Sequence, residues 1–361
     1  MEALLASGET ITSRKEQDLH RTTLGRLTGL ALIASMTGGV TASAGADVAG
    51  TLTGAGSSLV APLMANWAAD FQSRDNIAIN YSAVGSGAGI AQISARTVDF
   101  GASDAPMTPT QFSGCNGCVQ IPWALTATVV AVNIPGHKTL KLTGPVVADI
   151  YLGKITSWND KRIKALNKGV SLPSLQITPV YRSDGSGDTY VITDYLSRIS
   201  PTWKSQVGNA TAVSFPKGVG GKGNDGVTAV VGSTQGAIGY VSAYYAIQHG
   251  LSVVALQNRA GKYVYPNLKN IKAAAAVVKK VPSNNEMHIV NPPKKAKLAY
   301  PMSTFTYCIV PTTSTNAPGL QRFVTFAVSN VGQRFGPALD FQPVPSVVYT
   351  AARKTILAIH S

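Results

Sequence analysis

Arg182-Ser183-Asp184-Gly185-Ser186-Gly187-Asp188 sets a guanidinium, hydroxyls, two glycines and two carboxylates within seven residues, after the apolar run 177–181 and before a helical pattern. Glycine lets the backbone bend and approach a ligand closely. Arg182 can fork two donors onto an oxyanion. A helix starting near Ser186 would aim its first N–H groups, with the positive end of its dipole, at the same spot. The chemistry on offer is a cradle for a tetrahedral oxyanion. Asp, Gly and Ser also build ordinary surface turns, so this loop alone leaves both readings open.

The elements around it predict how such a cradle is held. A strand and turn at 51–58 lead to a helix carrying Pro62 near its start, with Leu63, Trp67 and Phe71 on one face. The alternating strand 77–82 ends in Gly85-Ser86-Gly87-Ala88-Gly89, with a helix expected over 90–95. A short strand at 98–101 stops at Ser103-Asp104. Strand, polar loop and helix recur, which points to an open α/β sheet. In such sheets ligands bind beyond the carboxyl ends of the strands, and those ends carry Ser58, Ser86, Asp104, Arg182 and Ser186. Further on, 121–132 and 298–310 read as strands crossing between two lobes. Residues 145–153, 160–167, 271–281, 319–329 and 346–359 read as helices, with 201–208 and 226–232 on either side of the loop that follows. A Gly-rich loop is expected at 217–225 and a surface excursion at 283–297.

The chain has 361 residues, 35 glycines, 20 prolines and only 13% charged residues, which excludes a coiled coil and an acidic disordered chain. The length suits two domains or one bilobal body. The net charge is +14. Four basic and four acidic residues precede Asp47, so the whole excess belongs to the chain from Asp47 onward. Lys and Arg are scattered and not massed with aromatics, which argues against nucleic acid and leaves an anionic membrane or an anionic small ligand. Arg14, Lys15, Arg21 and Arg26 lead into a weakly apolar run at 27–40 and then Ala42-Ser43-Ala44. That is the order of an export signal cleaved after Ala44 or Ala46. No cysteine at the cleavage point suggests a lipid anchor, so an exported, soluble mature chain is expected. Cys115 and Cys118 frame Asn-Gly in a polar turn, where an oxidising compartment favours a local disulfide. Cys308 reads as a buried strand thiol.

Several enzyme classes fail on motif. No G-x-x-x-x-G-K-[ST] loop is present, and Gly221-Lys222-Gly223-Asn224-Asp225-Gly226 has neither the preceding strand nor the acidic partner of a dinucleotide site. The five histidines show no metal-ligand spacing, so neither metal nor cofactor is expected. Gly185-Ser186-Gly187 misses the nucleophile elbow of serine hydrolases.

Thr53-Gly54-Ala55-Gly56-Ser57-Ser58, Gly85-Ser86-Gly87, the segment V-D-F-G-A-S-D-A-P at 98–106, the Arg182 loop and G-G-K-G-N-D-G at 220–226 occur in this order. Together they resemble the periplasmic phosphate-binding proteins of high-affinity phosphate ABC transporters, over nearly all of 50–350. The resemblance implies an α/β, two-lobed type II periplasmic-binding fold, each lobe a central mixed sheet flanked by helices, joined by two hinge crossings. Lobe 1 would comprise 47–124 plus 304–361 and lobe 2 would comprise 125–303, after a signal peptide at 1–46. It implies a non-enzymatic monomer that closes on one hydrogen or dihydrogen phosphate and delivers it to a membrane permease. Phosphate would be held by Ser58, the Leu59 N–H, Ser86, Asp104, Arg182, Ser186, Gly187 and Asp188, with Asp184 keeping the Arg182 fork in plane. Asp104 is the informative member, because a carboxylate repels an anion unless the ligand brings a proton to share. Two other readings keep the same cradle: a phosphate-ester hydrolase, or a binder of another oxyanion such as arsenate.

Two positions depart from the family pattern. Many relatives carry an aromatic residue where Leu59 stands, so only its backbone contribution transfers. Asp188 stands where Thr is common, replacing a hydroxyl donor by an acceptor. That change disfavours the doubly charged anion and leaves room for a second ligand proton, which favours H₂PO₄⁻.

Overall fold

The computed structural model describes residues 50–361, so the export signal expected at 1–46 lies outside the described residues. The chain opens with alternating strands and helices: β1 (Gly50–Gly56), α1 (Ala61–Asp75), β2 (Ile77–Ser82), α2 (Ser86–Ser94), β3 (Phe100–Ser103) and α3 (Pro109–Cys115). Pro62 in the first turn of α1 presets the helical φ, and Leu63, Met64, Trp67 and Phe71 form its buried face. Asn76 ends that helix in the left-handed conformation, its N–H donating to Gln72 O at 3.0 Å.

The fifteen-residue β4 (Cys118–Val132) is buried almost throughout. It is covered on both faces, which is why its sequence runs apolar without alternation. The middle of the chain holds β5 (Lys141–Leu142), α4 (Gly144–Tyr151), α5 (Lys161–Leu166), β6 (Thr178–Arg182), α6 (Gly187–Ile199), α7 (Pro201–Gln206), β7 (Val219–Gly221) and α8 (Gly223–Ser233). Then come β8 (Ala237–Ser242), α9 (Ala243–Gln248), β9 (Ser252–Val253), β10 (Ala255–Gln257), β11 (Tyr263–Val264) and α10 (Leu268–Ala275). The chain returns through β12 (Ser303–Pro311) and closes with α11 (Ala317–Val328), α12 (Asn330–Gln333) and α13 (Ser346–Ile356).

One sheet runs in the order β2-β1-β3-β12-β4-β8-β6-β7, with β9 also on β4 and β5, β10 and β11 in a small separate sheet. The first part of β4 pairs antiparallel with β12, from Pro311↔Cys118 to Ser303↔Ala127. Its remainder, Thr128 to Val132, pairs with β8. The sheet therefore has two halves joined through β4. Within the first half, β1 lies parallel to β2 and β3. Within the second, β6 lies parallel to β7 and β8. Each half has its own core: Trp67, Phe71, Phe100, Trp123 and Phe323 in one, Tyr151, Trp158, Trp203 and Tyr240 in the other. Each such side chain fully buried is worth about 1.5–3 kcal/mol.

Several boundaries differ from the sequence expectation. Helix α2 begins at Ser86, not near 90. Residues 217–225 hold β7 and the start of α8 and not only a loop. Helix α10 ends at Ala275 and not at 281, so Lys279 and Lys280 lie beyond it. The excursion at 283–297 is anchored by buried Met287, Ile289 and Val290.

Candidate functional site

The turn after β1 brings Ser57 and Ser58 to the carboxyl end of the sheet. Gly56 makes the turn possible: its φ is +145°, and a Cβ there would overlap the Ala102 backbone. Ser57 Oγ accepts from the N–H groups of Leu59 (3.0 Å) and Val60 (3.4 Å) and donates to Asp104 Oδ2 at 2.6 Å. Ser58 Oγ faces the opposite half, accepting from Asn224 N (3.2 Å) and Asn224 Nδ2 (2.9 Å). Tyr81 secures the turn by donating to Ser57 O at 2.7 Å.

Ser86 is the first residue of α2 and a meeting point of both halves. Its Oγ accepts from Asp104 N (3.2 Å) and Gly187 N (3.1 Å) and donates to Asp104 Oδ2 at 3.3 Å. Beside it, Gly87 N donates to Gly185 O at 2.9 Å. The Gly87 and Gly185 backbones approach so closely that a Cβ at 87 would sit 3.1 Å from Gly185 Cα. Ser57, Ser58, Ser86, Asp104, Arg182, Ser186, Asp188 and Asn224 are all at most 5% exposed. The larger surface hollows, such as the one lined by Lys141, Leu166 and Tyr263, share no residue with this cluster. The chemistry lies in a closed seam.

Arg182 ends β6, its own N–H donating to Tyr240 Oη at 3.0 Å. Its Nε donates to Asp184 Oδ1 at 2.8 Å and its Nη2 to Asp184 Oδ2, the planar fork expected from sequence. Nη1 donates to Asp188 Oδ2 at 3.2 Å. Burial alone would push the Asp184 carboxyl up, but the Arg182 bonds outweigh it and hold it below its ordinary range. The Gly223 N–H, at the start of α8, adds a third donor at 2.9 Å. Ser186 caps α6 through Thr189 N at 3.3 Å, so this helix does begin where the loop predicted.

Asp188, in the first turn of α6, is completely buried and served by three side chains. Thr128 Oγ1 donates to Oδ1 at 2.7 Å, and Asn224 Nδ2 donates to Oδ2 at 2.8 Å beside Arg182. Burial raises the Asp188 carboxyl, with the Arg182 charge opposing. Asn224 is fixed in turn by Ser242 N, which donates to its Oδ1 at 2.7 Å.

Asp104 is held differently. Ser57 and Ser86 both bond Oδ2, while Oδ1 is buried with no hydrogen-bond partner among the described residues. Burial, and secondarily the charge of Asp188, push its carboxyl up to about 7 against the pull of Ser57, Arg182 and Ser86. An unsatisfied buried acceptor costs about 1–3 kcal/mol, and more if charged. The geometry therefore offers one hydrogen-seeking oxygen beside a guanidinium, three hydroxyls and the N-termini of α1, α2 and α6.

All eight residues expected to bind the ligand meet in this seam. Sequence reasoning missed four that complete it: Ser57, Thr128, Asn224 and Tyr240. Asn224 lies within the G-G-K-G-N-D-G block, and Ser57 stands next to Ser58. Thr128 carries no signal beyond being a hydroxyl in an apolar strand. Cys115 and Cys118 are joined, in a separate small cluster with Ile90, Ile93, Met107 and Ile309. Arg96 donates to Cys115 O and Asn116 O, both at 2.8 Å, and ties that turn down. Cys308 is the buried free thiol on β12.

A family model for a PBP superfamily domain matches residues 41–331. The chain is 40% identical over 301 residues to the phosphate-binding protein PstS of Xylella fastidiosa (strain Temecula1), covering 81% of each chain. It is 38% identical over 310 residues to that of Haemophilus influenzae, covering 84% of this chain and 92% of the relative. Among solved structures, a high-affinity periplasmic phosphate-binding protein (PfluDING) bound with phosphate superposes with a TM-score of 0.68 at 19% identity, covering 84% of this chain and 93% of that one. A phosphate-binding protein from Stenotrophomonas maltophilia gives 0.65 at 20% identity over the same shares. These structural likenesses show the two-lobed α/β fold that the sequence led us to expect. The model match and the sequence identities go further: the chain belongs to the PBP superfamily and, within it, to the PstS family of phosphate-binding proteins.

Proposed function

We propose that this chain captures inorganic phosphate between two lobes and delivers it to the membrane permease of an ABC transporter, without chemical conversion. The observation that carries the reading is Asp104 Oδ1, a buried acceptor with no hydrogen to receive, in a seam that also gathers the Arg182 guanidinium and the hydroxyls of Ser58, Ser86 and Ser186. Phosphate at neutral pH has a hydrogen to give to that atom and sulfate has none. Sites built around a ligand's hydrogen reject the analogue lacking it by roughly 10⁴ to 10⁵. Ser58 and Ser186 would donate hydroxyls and Arg182 the full positive charge, while the Ser86 hydroxyl and the Leu59 and Gly187 N–H groups, bonded within the protein here, would exchange those partners for the ion.

The lobes would be 47–124 plus 304–361 and 125–303, hinged where β4 and β12 run between them. Gly87 on Gly185 and Ser58 on Asn224 would be the contacts that seal the closed form. Burial of the ion excludes water, so fixed dipoles and Arg182 must meet its charge. The PstS relatives support export of the mature chain to the periplasm. Calorimetric titration of the purified chain with inorganic phosphate tests the reading: saturable binding of one ion per chain is expected, and no binding heat from folded protein would overturn it.

A further inference from the structure

The seam holds one guanidinium and three carboxylates. Arg182 is already neutralised by Asp184 and bonded a second time by Asp188, and Asp104 is the third acid. With all four groups ionised, the net charge before any ligand enters is two negative units. Asp188 is faced by Thr128 of β4, Asn224 of α8, Arg182 at the end of β6, Asp184 in the next turn and Asp104 after β3. Tyr240 of β8 and Tyr245 of α9 also feel its charge, and Tyr81 feels that of Asp104. Of these groups only Arg182 is cationic. Asp188 also occupies one of the Arg182 N–H groups that an anion would otherwise receive.

Adding HPO₄²⁻ to such a cluster would place four net negative charges out of water. Burying uncompensated charge is strongly unfavourable. Taking up a proton removes one of them. Resting on phosphate as the ligand, we infer that Asp188 makes capture proton-coupled. The closed complex holds, beyond HPO₄²⁻, one further proton shared among the anion, Asp104 and Asp188, so this site selects phosphate in its two-hydrogen form. Asp188 acts through charge and through Arg182: its Oδ2 already has two protein donors and its Oδ1 has one. The elevated Asp104 carboxyl fits the same crowding of negative charge.

The test is calorimetric titration of phosphate into the wild-type chain and Asp188→Asn, from about pH 5.5 to pH 8.5, in buffers of contrasting ionisation heat. One linked proton changes affinity about tenfold per pH unit. Above about pH 7.5 the wild type is expected to lose about tenfold in affinity per unit and to take up one proton per phosphate. Asp188→Asn removes the charge, keeps one oxygen for Arg182 and Asn224 and reverses the Thr128 bond, and it should hold its affinity to within about threefold over that range. Asp188→Thr serves if the Asn variant does not fold. Equal slopes in wild type and variant, or no buffer-dependent proton uptake by the wild type at alkaline pH, overturn the inference while leaving phosphate binding intact. Absence of phosphate binding at every pH overturns the functional reading itself.

Discussion

Asp104 and Gly187 lie in contact across the seam: a Cβ at position 187 would overlap the Cβ and carboxylate of Asp104. Here a glycine is required by space, since the Asp104 side chain occupies the place that a larger residue at 187 would need. Gly187→Ala would relieve the overlap by holding the two halves apart and not by unfolding either core. Overpacking of this kind costs about 1–3 kcal/mol. Phosphate affinity should therefore fall roughly ten- to a hundredfold, with Tm nearly unchanged. Titration calorimetry and a thermal melt check the pair of outcomes.

Ser57 touches Asp104 and not the expected ligand, yet its removal should be felt there. The 2.6 Å bond from Ser57 Oγ pulls the Asp104 carboxyl down against burial. Ser57→Ala frees Oδ2 from that donor and strips the Leu59 and Val60 N–H groups, just ahead of α1, of their acceptor. A hydrogen bond to a charged group is worth about 1.5–3 kcal/mol. Asp104 should then titrate above its present value of about 7, and phosphate affinity should drop about tenfold or more. The pH profile of binding measures both.

Without phosphate, the chain should lose stability as pH rises towards neutrality. Asp104 ionises at 3.8 when unperturbed and at about 7 in the fold. Between those values the folded chain binds a proton that the unfolded chain has released, so raising pH favours unfolding. Asp160, held down to about 2 by its Arg162 bonds, works in the opposite sense, but only below its ordinary value. Tm in phosphate-free buffer should be roughly 5 °C lower at pH 8 than at pH 5. Asp104→Asn should flatten the slope. Scanning calorimetry across that range supplies the comparison.

Asp104→Asn should also change what the seam accepts. An amide can present N–H where the carboxylate presented a bare oxygen, so an anion without hydrogen is no longer repelled. Sulfate, which the wild type should reject, should bind the variant, while phosphate affinity falls at least about a hundredfold. Parallel titrations with both salts decide it.

Much of the fold and the site is legible in the sequence because its signals are local. Arg182 and Asp184 stand two residues apart and their fork forms as expected; Ser186 caps α6; and the apolar run of β4 announces a strand covered on both faces. The features that stayed hidden depend on distant packing. The start of α2 is displaced from its expected place because Ser86-Gly87-Ala88-Gly89 is poor helix sequence. It folds there because Gly89 lies against the Gly56 backbone and Gly87 against Gly185, contacts that bulkier residues would forbid. Thr128 and Asn224 bond Asp188 from 60 and 36 residues away, and no spacing rule reaches so far. Between adjacent Ser57 and Ser58, only the turn geometry shows which one holds Asp104.

The central claim is that the bare oxygen of Asp104 receives a hydrogen from the bound anion. Displacement of radiolabelled phosphate from the wild-type chain at neutral pH tests it most directly. Arsenate, which carries the same hydrogens, should displace the label, and sulfate in large excess should leave it in place. Displacement by sulfate as effective as that by unlabelled phosphate would contradict the account.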